Sequence, residues 1–204
     1  TIAANTNLSK AEMESLKGVA TDVFKSGVTY SIDEATNATI LMKSAFQDLN
    51  NEDLGKITEQ VISLSKRTNT EYTDNIKAAD YLMKAFGVSN KEAFDMIAAG
   101  YKNGLNSSND FTDTIVEYSG TVKEAGYSQE EFFSMLDSGL KNGARNTDLI
   151  ADSMVEFGKK LAAGDYEEMI SGMSAETQNM FNEYKNGNAT VSDVMSSVQE
   201  EMKK

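Results

Sequence analysis

The chain has 204 residues, with 19 basic against 32 acidic side chains and a formal net charge of −13, so bulk charge gives it no attraction to a phosphate backbone. It contains no histidine, cysteine or proline. That removes disulfides, thiolate and imidazole metal ligands and every Cys- or His-dependent nucleophile; average proline usage would give about ten in this length, so uninterrupted helices are the simplest reading.

Apolar content of 40%, charged content of 25% and a mean hydropathy of −0.43 fit a soluble globular chain better than a disordered one. No apolar stretch approaches the ~18–20 residues of a membrane span, and no basic-then-apolar leader opens the sequence. The start at Thr1 without an initiator Met, and the end at Lys204 inside a charged helical pattern, suggest a piece of a longer protein.

Helix starts and stops recur along the chain, with Ser, Asn or Asp before each apolar-periodic run and Gly after most of them. Ser9 opens a run through Met13, Leu16, Ala20, Val23 and Phe24 that ends at Gly27. Ser31 with Glu34 has capping-box spacing, and Ala38, Leu41, Ala45 and Leu49 follow on one face. Asn51 or Asp53 precedes Leu54, Ile57, Val61 and Leu64. Further helices are predicted from about Tyr72 to Phe86, Ser89 to Gly104, Asn109 to Ala125, Ser128 to Gly143, and Asn146 or Thr147 to Ala163. A short one near Asp165–Met173, one from Ser174 to Asn186 and a last from about Thr190 complete the chain. No segment alternates like a strand.

Within this series the sequence repeats itself at an offset of 39 residues, GVSNKEAFDMIAAGYKNG from Gly87 aligning with GYSQEEFFSMLDSGLKNG from Gly126. Identical pairs include Ser89/Ser128, Glu92/Glu131, Phe94/Phe133, Met96/Met135 and Gly100/Gly139, and the match runs on ungapped to Asp113/Asp152, Val116/Val155 and Glu117/Glu156. The stripe Phe111, Ile115, Tyr118, Val122 recurs as Ile150, Met154, Phe157, Leu161, and a more degenerate copy stands at Tyr72, Ile76, Ala79 and Met83. The fold class is therefore all-α, with stacked αα-hairpin repeats in a helical-repeat or bundle-like domain. Residues 1–49 form an N-terminal helical pair, 50–163 three hairpins and 164–204 the C-terminal helices, all in one continuous domain. Phe94, Phe133, Ile115, Met154, Tyr118 and Phe157 are expected to be buried.

Most motifs have plain structural readings. The triplets Lys102–Gly104, Lys141–Gly143 and Lys185–Gly187 read as helix C-caps, and Ser89/Glu92 and Ser128/Glu131 as capping boxes. Gly100 and Gly139, inside helices where Gly costs ~1 kcal/mol against Ala, read as close helix crossings. Asn106–Asp113 is rich in Asn, Ser and Asp but lacks the central Gly and closing Glu of a calcium loop. Asn37, Asn106 and Asn188 head sequons that matter only in a secreted chain. Met96, Met135, Met154, Met169, Met173 and Met180 read as core fillers, with an adaptable binding surface as the other reading. Val191, Val194, Val198 and Met202 form a stripe that either docks on the domain or continues beyond it. No catalytic, cofactor-binding or metal-binding residue is assigned and no cofactor is expected; among 32 carboxylates, a hydrolase pair would be indistinguishable from a solvated face.

From Ile32 to Val198 the sequence resembles the core region of tailed-bacteriophage tail tape measure proteins. The resemblance is carried by AAGYKNGLNSSNDFTDTIVEYS, a Gly-aromatic-Ser-x-Glu-Glu step, and SGLKNGARNTDLIADSMVEFG. It implies a structural, non-enzymatic component of the phage tail interior, in several copies, that sets tail length and takes part in DNA ejection. The implied partners are other copies of itself, the tail tube, tail tip and tail assembly chaperone proteins, and host envelope proteins on ejection. The implied places are the tail lumen of the virion and the host cytoplasm during assembly. The peptidoglycan-cleaving domains and long hydrophobic segments of some family members have no counterpart in these residues. The alternative is a stand-alone acidic α-helical-repeat module that binds protein. A single helix of 204 residues would run ~300 Å, yet Gly interrupts the pattern about every twenty residues. The region is thus either a compact domain or one that is extended within the tube. Tight duplex DNA binding is not expected, and apolar surface on the terminal helices, around Val191, Val194 and Val198 and around Leu16, Val19 and Val23, is expected to be free for self-association.

Overall fold

Helix caps divide the chain as the sequence pattern indicates. The computed structural model describes residues 10–203; Thr1, Ser9 (the expected first cap) and Lys204 lie outside the described residues. Among those described are eleven helices and no strand: α1 Lys10–Lys25, α2 Ile32–Ala45, α3 Asn51–Thr68, α4 Tyr72–Phe86, α5 Asn90–Lys102, α6 Phe111–Glu124, α7 Gln129–Lys141, α8 Thr147–Ala163, α9 Glu167–Ser171, α10 Ala175–Lys185 and α11 Val191–Glu201. They form two compact units, one of residues up to 83 with 87–101, the other of 84–86 with 102 onward.

In the first unit α1, α2 and α3 pack pairwise against one another. Leu16, Val23, Ala38, Met42, Leu54 and Val61 are buried between them, removing from water the apolar stripes that amphipathic spacing creates. Four details differ from the sequence expectation. Asn50, rather than Asn51 or Asp53, caps α3, its side chain accepting from Asp53 N–H at 3.0 Å. The buried face of α2 is Ala35, Ala38, Thr39 and Met42, rotated from the Leu41/Ala45 line because this helix faces two neighbours at once. Leu49 lies beyond the end of α2, and Phe24 is 40% exposed at the last turn of α1. Asn75, wholly buried on α4, donates to Ser65 Oγ at 2.8 Å and Thr70 Oγ1 at 3.1 Å and accepts from the Tyr101 hydroxyl at 2.6 Å. A buried amide is retained only when its donors and acceptor find partners in this way.

The second unit contains one full copy of the 39-residue repeat, α7 with α8, and α6, the second helix of the copy before it. Gly139, in the last turns of α7, faces Ile150 in the first turn of α8, so these two helices run antiparallel as a hairpin. The corresponding second helices of successive repeats, α6 and α8, lie side by side and parallel. Near their starts the Thr114 and Thr147 hydroxyls pair at 2.9 Å and the Asp110 carboxylate accepts from Asp148 N–H at 3.1 Å; near their ends Ala125 touches Gly158. Ile115 and Met154 are buried as expected. Phe94, Tyr118, Phe133 and Phe157 are only half-buried, because each lies along the rim of its core. Phe94 meets Phe46 edge-on at 5.7 Å, Phe133 meets Phe111 at 5.9 Å, and Phe157 stacks on Tyr166 at 5.2 Å. The wholly buried aromatics of this unit are Phe111, Phe132 and Tyr127.

α10 and α11 close the unit as a second hairpin. Val191, Val194 and Val198 are buried in it, as Leu16, Val19 and Val23 are in the first unit. The terminal stripes are therefore not free surface: each is covered by its own unit.

Candidate functional site

The capping readings hold in detail. Ser128 Oγ accepts from Glu131 N–H while Glu131 accepts from Ser128 N–H at 2.7 Å, and Ser89 with Glu92 makes the same reciprocal pair. Gly104, Gly143 and Gly187 have φ of 83°, 94° and 77°, the left-handed conformation that a helix C-terminus asks of Gly. Beyond the last two, the N–H groups of Ala144 and Asn188 return to the carbonyls of Gly139 and Glu183 at 3.0 and 2.8 Å.

The Asn- and Ser-rich segment before α6 works as a tie between loops. Asn106 Oδ1 accepts from Phe111 N–H, Ser108 Oγ donates to Arg145 C=O at 2.9 Å, and Asp110 caps α8 in place of its own helix. Placing this carboxylate at the α8 N-terminus, beside the native cap Asn146, satisfies a second orphan N–H and opposes the positive end of the dipole. Among the described residues no group of three or more Asp or Glu is placed to hold a metal ion, and no helix is long and apolar enough to cross a membrane.

The second unit carries a concave surface, a groove of about 860 Å³ between α7, α8 and α11. α11 is set there by Thr190, whose hydroxyl donates to Glu131 at 3.0 Å, and by Tyr127, whose hydroxyl donates to the Met154 carbonyl at 3.1 Å and approaches Met195 sulfur at 3.7 Å. Burial, more than the neighbouring Glu131 carboxylate, pushes the Tyr127 phenol well above its ordinary range, so it stays a neutral donor. The groove floor carries Met135, Ile150, Met154 and Met195. Leu149 and Met202 stand 45% and 76% exposed at its lip. Of the methionines read as core fillers, Met154 is buried, Met96, Met135, Met173 and Met180 are half-buried, and Met169 is exposed. Sequence reasoning did not single out Met195 or the groove, because three helices from distant parts of the chain build it.

These features define an all-α, bundle-like chain whose polar motifs are spent on capping and on joining loops. The chain belongs to the phage-related minor tail protein family, whose family model matches residues 5–204. It is thus a phage tail protein, with a structural place in the virion. Comparison with curated proteins and with solved structures gives no significant match.

Proposed function

We propose that this chain is a segment of a tail tape measure protein: a non-enzymatic part of the tail interior that contributes to tail length during assembly and to DNA ejection on infection. The observation that carries the reading is the 39-residue hairpin repeat within a chain matched by the minor tail protein family over residues 5–204. A part that measures by length needs serial, similar units, which repeat architectures supply and a single catalytic constellation does not. In this reading its partners are other copies of itself, the tube, the tail tip and the assembly chaperone. It assembles in the host cytoplasm, occupies the tail lumen, and meets the host envelope on ejection.

The test is quantitative mass spectrometry of this chain's peptides in purified particles, before and after DNA release is triggered. The reading requires several copies per tail in full particles and their loss from emptied ones. Retention in emptied tails, or a single copy, would overturn it.

A further inference from the structure

The groove between α7, α8 and α11 joins an apolar floor to charge at both ends, where Glu131 also serves the Ser128 capping box and Thr190. Its floor is unusually rich in methionine, a flexible and polarizable side chain that moulds to different apolar partners. Its lip leaves Leu149 and Met202 in solvent, where a partner's apolar side chains could reach them. Its length follows that of α11, whose 11 residues make three turns, ~16 Å. Charge is arranged along that length. Glu130 and Glu131 stand at the end where Thr190 begins α11, and Lys203 stands beyond the end of α11. A helix lying in the groove with its N-terminus by the two glutamates would have both ends of its dipole opposed by protein charge. The net charge of −13 adds long-range attraction for a cationic partner.

We propose that this groove is a docking site for a cationic amphipathic helix of another protein, about three turns long, its apolar face on the methionine floor and its N-terminus beside Glu130 and Glu131. Recognition is of the helix-in-groove kind, read through apolar anchors at i, i+3, i+4 and i+7. The proposal stands independently of the tape measure reading.

The experiment uses the 204-residue chain with methyl-labelled methionines and two fluorescent amphipathic peptides of equal length, one built of Leu and Lys, the other of Leu and Glu. Anisotropy should show saturable binding of the Leu/Lys peptide, at least about tenfold tighter than the Leu/Glu peptide. The methyl signals of Met135, Met195 and Met202 should move, while those of Met13 and Met83, outside the groove, should not. Ser196→Trp, which fills the groove from an exposed position on α11, should weaken binding about tenfold or more with the helical circular dichroism unchanged. Equal binding of both peptides, signals moving all over the surface, or indifference to Ser196→Trp would reduce the effect to bulk charge and overturn the proposal. Self-association of the chain that displaces the peptide would assign the groove to a second copy, and would also overturn it.

Discussion

A Cβ on Gly158 would lie 2.8 Å from both the Cβ and the carbonyl oxygen of Ala125, so α8 passes the end of α6 at a distance that only glycine permits. This contact joins the second helices of two successive repeats, and the obstructing atoms include backbone, which cannot rotate away. Gly158→Ala should therefore destabilise the chain by ~2 kcal/mol, the cost of overpacking exceeding the gain in helix propensity. Gly120, in α6 with open space around it, gives the control. There Ala should stabilise by ~0.5–1 kcal/mol. Urea denaturation of both variants checks the pair; a neutral or stabilising Gly158→Ala would separate the two helices.

Phe132 and Phe133 should behave differently although they are adjacent. Phe132 is wholly buried, and Phe132→Ala should cost ~3–5 kcal/mol. Phe133 lies half-buried against Phe111 and Phe132, and its truncation should cost ~1–2 kcal/mol. Equal losses in thermal or urea unfolding would contradict the packing described.

That pair also shows where the sequence stops being legible. Helix number, caps and the α7–α8 hairpin follow from local spacing, because N-caps, αL glycines and apolar stripes act within a few residues. The repeat alignment highlights the identical pair Phe94/Phe133, yet the buried column is its neighbour, Ala93/Phe132, where the side chain changes size between repeats. Identity drew attention to the rim; the column that fills the core varies with the space left to it. Likewise the crossing at Gly139 was legible as a glycine inside a helix. The crossing at Gly158 and the groove beside Met195 depend on which helices meet, and no local pattern encodes that.

Glu201 should act as the latch of the C-terminal hairpin. From the end of α11 its carboxylate accepts from Ser174 N–H at 2.6 Å, Ser174 Oγ at 2.7 Å and Thr177 Oγ1 at 2.6 Å, capping α10 across the hairpin. Glu201→Ala should destabilise this unit by ~2 kcal/mol, as expected for charge-assisted bonds. Amide exchange at the start of α10 should accelerate most. Unchanged exchange there would make the latch redundant.

Alkaline pH should loosen the fold through half-buried Tyr118 and buried Tyr127. Burial, then the neighbouring Asp148, Glu117 and Asp152 carboxylates, push the Tyr118 phenol up to about 12, and Tyr127 is also raised, chiefly by burial. The folded chain thus holds these protons more tightly than the unfolded one. Their contribution to stability is full below the ordinary tyrosine range near ~10 and is lost as pH rises towards about 12. Tyrosinate absorbance should show a late-titrating phase that Tyr127→Phe diminishes. Titration of all the tyrosines together near ~10 would contradict the burial.

Duplex DNA should bind weakly at physiological salt, since 32 carboxylates face 19 cations and no counterion release rewards contact. Anisotropy with a labelled duplex measures this; tight, salt-sensitive binding would contradict it.

The central claim is that this repeated segment contributes to tail length. Its most direct measurement is electron microscopy of tails from phage in which the 39-residue stretch Gly87–Ala125 is deleted in frame or duplicated in frame. The account predicts shorter tails on deletion and longer tails on duplication, by similar amounts of up to about 60 Å if the stretch is extended as helix within the tube. Tails of unchanged length in both would contradict it.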